Sequence, residues 1–163
     1  MNYAKINATD IANGIGVRVS LFVSGCNRRC KGCFNPETWD YDYGKEFTVD
    51  TLYELKDLVS KDYISGLTIL GGEPLDPENR HMVTLICCWI KRHVPNKTIW
   101  IYTGYTYEKV KHLDVLNYVD VLVDGAYIEE LKDISLPFRG SSNQRIIDVA
   151  RSKYRDSVVE VEL

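Results

Sequence analysis

The sequence predicts an α/β protein, built as a single-domain partial (β/α) barrel or an open, curved, mainly parallel sheet. Three observations point there. Short apolar runs of strand character alternate with amphipathic helical stretches, the signature of βαβ units. The turns that close the strands carry the chemically unusual residues, as expected at the carboxyl ends of parallel strands. A chain of 163 residues with about four to six strands is too short for a closed eight-stranded barrel, yet long enough for one core. One domain spanning 1–163 is therefore expected.

Taken in order, Val17 to Val23 reads as a strand, with Val17, Val19, Leu21 and Val23 alternating with Arg18, Ser20 and Phe22. A cysteine-rich loop follows it directly. A helix is expected from Val49 to Lys61, capped by Thr48, with Leu52, Leu55 and Val59 on one face. Gly66 closes that unit, and Leu67-Thr68-Ile69-Leu70 forms a strand running into Gly71-Gly72-Glu73-Pro74. Asp76-Pro77-Glu78 starts the next helix: Asp as N-cap, Pro in the first turn, an acidic side chain beside the helix dipole. Its apolar stripe reads Met82, Leu85, Ile86, Trp89 and Ile90. Thr98 to Tyr102 is a third strand ending at Thr103-Gly104, followed by a helix from Tyr107 to Leu113. Val119 to Val123 is a fourth strand, ending at Asp124-Gly125, and Ile146–Val149 and Val158–Val161 are weaker strands. The cysteine loop, the Gly-Gly-Glu-Pro turn, Thr103-Gly104 and Asp124-Gly125 thus fall on one rim.

Composition narrows the classes of function. Hydrophobic residues are 45%, charged residues 26% and the net charge is −3, which declares no basic face, so nucleic acid is not an expected partner. No apolar run approaches the roughly 20 residues of a membrane span. The start Met1-Asn2-Tyr3-Ala4-Lys5-Ile6 lacks the pattern of a signal peptide, so a cytoplasmic location is expected. Five cysteines in such a chain point to metal binding or catalysis rather than disulfides. Cys87 and Cys88, inside an apolar helical pattern, read as small buried hydrophobes.

Cys26, Cys30 and Cys33 are spaced C-x3-C-x2-C. Three thiolates in one short loop hold three corners of a metal cluster and leave the fourth without a local ligand. Structural zinc requires four ligands, usually in paired knuckles. A fourth would have to come from Cys87, Cys88 or a histidine such as His81, and no second knuckle is visible. An iron–sulfur cluster fits better, because sulfides fill each iron's remaining positions. Gly25 and Gly32 allow the backbone to bend around the inorganic core. Arg28, Arg29 and Lys31 either offset the cluster's charge or are simply solvated. Phe34 either shields the cluster from water or packs ordinarily.

The run Cys26-x3-Cys30-x2-Cys33-Phe34 at a strand end resembles the signature of the radical S-adenosylmethionine family. Gly71-Gly72-Glu73-Pro74 is similar to that family's second motif. The resemblance implies a [4Fe-4S] cluster on Cys26, Cys30 and Cys33, with the amino and carboxylate groups of S-adenosylmethionine on the open iron. Gly32, Cys33, Phe34, Gly71, Gly72 and Glu73 are then expected to bind the cofactor. The two glycines bring backbone carbonyls to its ammonium group, and Glu73 is a further acceptor. Asp124 is a candidate cofactor carboxylate, or else a cap or turn residue, and Thr103 is a similar case.

Val119 to Gly125, Glu129 to Asp133 and Phe138 to Asp148 resemble one branch of the family, whose protein substrate is an anaerobic ribonucleoside-triphosphate reductase. The resemblance covers residues 11 to 150. It implies an activase: an external one-electron donor, such as a flavodoxin, reduces the cluster, and a 5′-deoxyadenosyl radical takes a hydrogen atom from a glycine of the reductase. No general acid or base is required, so His81, His93 and His112 receive no role. Tyr41, Tyr43, Tyr102, Tyr105 and Tyr107 are rim residues that either meet the partner or pack. The alternatives are an activase for another glycyl-radical enzyme of the formate-lyase type and, in a different class, a non-catalytic zinc-binding module.

Overall fold

In the computed structural model, which describes all of residues 1–163, four parallel strands form the middle of an open seven-stranded sheet. The strands are β1 (Asn2–Asp10), β2 (Arg18–Val23), β3 (Lys45–Glu46), β4 (Gly66–Gly71), β5 (Thr98–Tyr102), β6 (Val121–Asp124) and β7 (Arg145–Asp148). Their spatial order is β3-β1-β2-β4-β5-β6-β7. β2, β4, β5 and β6 run parallel, while β1, β3 and β7 add antiparallel flanks. The helices are α1 (Val49–Val59), α2 (Pro77–His93), α3 (Tyr107–Val110) and α4 (Val149–Arg155). The architecture is mixed α/β, and the sheet does not close.

Several boundaries differ from the sequence expectation. Gly66 opens β4 instead of closing the preceding unit, because it pairs with both Arg18 and Thr98. The strand expected at Val158–Val161 is reduced to one bridge between Ile147 and Glu160. α3 ends at Val110, short of Leu113. β1 was not expected at all. Asn2-Tyr3-Ala4-Lys5-Ile6-Asn7 has little strand propensity, and the strand exists through pairing with β2 across two register shifts. The stripe of α2 also rotates. Val83, Ile86, Cys87 and Ile90 are buried, whereas Leu85 is half-exposed. Cys87 therefore occupies the core position of a small hydrophobe.

Because side chains alternate along a strand, the sheet has two distinct faces. One carries Leu21, Leu67, Ile69, Ile99, Ile101 and Leu122 against Leu55 and Val59 of α1 and Val83, Ile86 and Ile90 of α2. The other carries Arg18, Ser20, Thr68, Trp100 and Val123, all buried as well. This second face is covered by irregular chain. Thr68 Oγ1 donates to the Asn13 carbonyl at 2.7 Å, and Phe138 packs edge-on against Trp100 at 5.7 Å. Both faces are buried, so the polar side chains of the second face, Arg18, Ser20 and Thr68, find their partners inside the protein.

Arg18 closes the amino end of that second face. It is 1% exposed. Its Nε donates to Thr68 Oγ1, Nη1 to Thr98 Oγ1 and the Ile15 carbonyl, and Nη2 to the Leu67 and Thr98 carbonyls. All of the guanidinium's N–H groups are thereby matched. Burial lowers its pKa to about 10, so it stays charged. Arg18→Ala would leave buried carbonyl and hydroxyl groups without donors, and a lost donor set of this kind costs about 3 kcal/mol. The expected outcome is a lower urea midpoint at unchanged m-value; an unaltered midpoint would mean that water replaces the guanidinium freely.

Candidate functional site

At the opposite, carboxyl end of the parallel strands lies a cavity of about 560 Å³. Cys26, Cys30 and Cys33 line it, as do Phe34, Gly71, Gly72 and Glu73. Phe22, Leu70 and Tyr102 form its floor, from the last two positions of β2, β4 and β5. The segment that follows β6 forms its far wall, through Tyr127, Ile134, Phe138 and Gly140. Tyr102 pins this wall by donating from its hydroxyl to the Phe138 carbonyl at 2.7 Å. Gln144 pins it again, accepting from the N–H groups of Gly140 and Ser141 and donating to the Gly125 carbonyl. The polar run Phe138–Arg145 thus supplies part of the cavity's wall, bonded to itself through Gln144.

The cysteine loop and the Gly-Gly-Glu-Pro turn are stitched to each other. The Gly72 N–H donates to the Val23 carbonyl and the Glu73 N–H to the Gly25 carbonyl, each at 2.8 Å. A Cβ on Gly72 would stand 2.5 Å from the Gly25 oxygen, so only glycine allows this approach. Asn79, on the first turn of α2 and 1% exposed, adds a clamp. Its Nδ2 lies within bonding distance of the Ser24, Gly25 and Glu73 carbonyls, at 2.9, 3.3 and 3.1 Å. On its other side the loop is held by the Gly25 and Cys26 N–H groups, which donate to the Thr38 and Trp39 carbonyls.

Asp76 works with Asn79. It sits at the N-cap of α2 as expected, but its side chain does not cap the helix. Instead it accepts from the Tyr41 hydroxyl at 2.6 Å, the Tyr105 hydroxyl at 2.8 Å and the Asn27 N–H at 3.2 Å. One buried carboxylate therefore joins the cysteine loop, the segment after it and the end of β5. Burial first, and the bond to Asp76 second, push the Tyr105 phenol up to about 12.

Glu73 lies on the cavity wall, yet both of its oxygens are engaged within the chain. Oε1 accepts from the Leu75 N–H and the Thr103 hydroxyl, and Oε2 accepts from the Gly104 N–H at 2.7 Å. Arg28 Nε lies 3.4 Å from Oε2. Burial pushes the carboxyl above its ordinary range, while Thr103, Leu75, Gly104 and Arg28 pull it down. Thr103 thereby acts on Glu73 and not as a free site hydroxyl. Asp124 does not line the cavity. It accepts from the Arg145 guanidinium at 3.0 and 2.5 Å and from the Tyr107 N–H at 2.7 Å, so it ties β6 to β7 and α3. Gly32 also stands off the cavity, at a φ of +73° beside Glu129. Tyr41 and Tyr105 serve Asp76, Tyr102 lines the cavity, Tyr107 is buried and Tyr43 is exposed.

The donor set suits an iron–sulfur cluster. All three cysteines are free thiols, part-exposed to one cavity. Burial pushes the Cys26 thiol up, and the backbone N–H groups of Arg28 and Arg29 pull it down, as donors to a thiolate do. Residues 12–147 match the family described as "4Fe-4S single cluster domain", and the chain belongs to that family. Proteins named "anaerobic ribonucleoside-triphosphate reductase-activating protein" are similar to it over most of their length. The one from Enterobacteria phage T4 is 47% identical over 146 residues, covering 90% of this chain and 93% of the relative. Those from Haemophilus influenzae and Escherichia coli are 43% and 39% identical, over 90% and 88% of this chain and 97% and 96% of the relatives.

Two substitutions test the stitching. Gly72→Ala has to push the turn away from the cysteine loop, at about 1–3 kcal/mol. It is expected to lower both the thermal midpoint and the iron retained through desalting; full iron content at an unchanged midpoint would show that the two loops part easily. Asn79→Leu removes a shared donor from buried carbonyls and is expected to cost about 1–3 kcal/mol in urea unfolding. A loss below about 0.5 kcal/mol would rule out the clamp.

Proposed function

We propose that this chain activates an anaerobic ribonucleoside-triphosphate reductase, by generating a glycyl radical on it from S-adenosylmethionine bound at a [4Fe-4S] cluster. One observation carries the reading: the three cysteines and the Gly71-Gly72 turn, apart in sequence, form neighbouring walls of one cavity at the carboxyl ends of the parallel strands. The names of the relatives support the choice of partner. The whole chain is read as one domain, an abbreviated sheet of the radical S-adenosylmethionine type.

A [4Fe-4S] cluster held by Cys26, Cys30 and Cys33 would supply one-electron reducing power to a bound S-adenosylmethionine, and through it the hydrogen-abstracting chemistry that the protein itself lacks. The protein's contribution is placement and exclusion of water. Cys26, Cys30 and Cys33 hold the cluster. Gly71 and Gly72 offer carbonyls to the cofactor's ammonium group. Glu73 holds the turn and Arg28 in place. Phe22, Leu70 and Phe138 give the floor and far wall an apolar surface that turns water away from a radical. An external one-electron donor such as a flavodoxin completes the set, with neither nucleic acid nor a membrane as partner. No helix is long and apolar enough to cross a membrane.

The deciding experiment mixes the cluster-loaded protein with the reductase, S-adenosylmethionine and a reductant, without oxygen, and follows electron paramagnetic resonance. A glycyl doublet is expected, and its absence with competent components would leave the reductase without support as the partner. Cys30→Ala is expected to abolish both the cluster's visible absorbance and the release of 5′-deoxyadenosine. Full release by that variant would overturn the ligand assignment, and one equivalent of zinc without labile sulfide in the native protein would restore the binding-module alternative.

A further inference from the structure

Arg28 stands apart from the other inward-facing arginines. Arg18 and Arg145 engage both of their Nη atoms within the chain, and Arg139 engages Nη1 through the Gln144 carbonyl. Arg28 has its stem fixed and its fork free. Its guanidinium lies 4.1 Å from the centre of the Tyr105 ring, and its Nε lies 3.4 Å from Glu73 Oε2. A Cβ on Gly104 would come within 2.4 Å of Arg28 Cδ, so the stem rests on bare backbone at the end of β5. Tyr105 and Glu73 are in turn fixed by Asp76, Thr103, Leu75 and Gly104. Neither Nη atom meets an acceptor in the chain, although the residue lines the cavity and its side chain is only 25% exposed. The chain has thus ordered a long, flexible cation without using its two best donors. Such an arrangement is preorganised for a planar anion from outside.

The anion's class follows from what stands beside it. Arg28 is ion-paired with Glu73, the residue directly after Gly72, and it lines the same cavity as the glycine turn. A ligand satisfying both must carry an ammonium and a carboxylate close together, as an α-amino acid does. We infer that Arg28 recognises the carboxylate of the amino-acid portion of S-adenosylmethionine, with Glu73 and Tyr105 as its positioning residues. The inference rests on the cofactor reading above and adds to it the residue that selects the carboxylate.

The test measures equilibrium binding of S-adenosylmethionine and of its decarboxylated analogue to the cluster-loaded protein, without oxygen and without turnover. Both are compared between wild type and Arg28→Ala at matched iron and sulfide content. The ratio of the two affinities isolates the contact, as in a double-mutant cycle. Loss of a charge-assisted fork is expected to lower affinity for S-adenosylmethionine about 10- to 100-fold, with the analogue changed less than about twofold. Arg28→Lys should recover part of the ratio, since it restores charge without the fork. If Arg28→Ala does not keep the cluster, Arg28→Gln, which retains the stem over Tyr105, is read the same way. An unchanged ratio, through equal weakening or through none, overturns the assignment of Arg28. A wild-type protein that holds its cluster and binds neither ligand overturns the cofactor reading, and the assignment with it.

Discussion

The site depends on one constraint: two loops from adjacent parallel strands must touch through their backbones. The chain leaving β2 and the chain leaving β4 exchange hydrogen bonds through Val23, Gly25, Gly72 and Glu73. Backbone contact at this range excludes a side chain at Gly72. It also leaves carbonyls crowded in a buried place, and unpaired carbonyls there are costly. Asn79 answers that need from the first turn of α2, and Asp76 answers the matching need for acceptors. A helix start, two strand ends and the cysteine loop thus form a single polar unit beneath the cavity.

The unit explains why the acidic residues of the rim are not free reagents. Glu73, Asp76 and Asp124 are each at most 2% exposed, and each is met by several donors. A buried carboxylate without partners would be expensive, and these three each bind several elements together. Besides Glu73, the cavity presents thiols, glycine backbone, apolar walls, the Arg28 and Arg139 guanidinium groups and, on the far wall, Asp133. That lining suits chemistry carried by a bound group while the protein holds and shields it.

How much of this was legible in the sequence depended on range. The cysteine spacing, the glycine turn and the alternation of strands with helices are local patterns, and they placed the cysteines and Gly71-Gly72-Glu73 on one rim. Asp76 shows where local rules stop. Its position before Pro77 marks the helix start correctly, but the side chain is recruited by Tyr41 and Tyr105, which only the fold brings near. Asn79 gave no signal, since one asparagine in a helix reads as surface. The pairing of Glu73 with Thr103 and Gly104 joins different strand ends, so a motif that reads as ligand-binding also works as a brace. β1 was invisible because its conformation comes from its neighbour and not from its own residues.

The Arg18 plug has a consequence for traffic. Arg18, Thr68 and Trp100 fill the amino end of the inner face, and none of them lines the cavity, which meets the sheet at Phe22, Leu70 and Tyr102. In the proposed role, the small ligands and the protein partner both come to the carboxyl side of the sheet. A docked partner would then stand over the face that the small molecule occupies. That shared side would follow in part from a residue far from the reacting atoms.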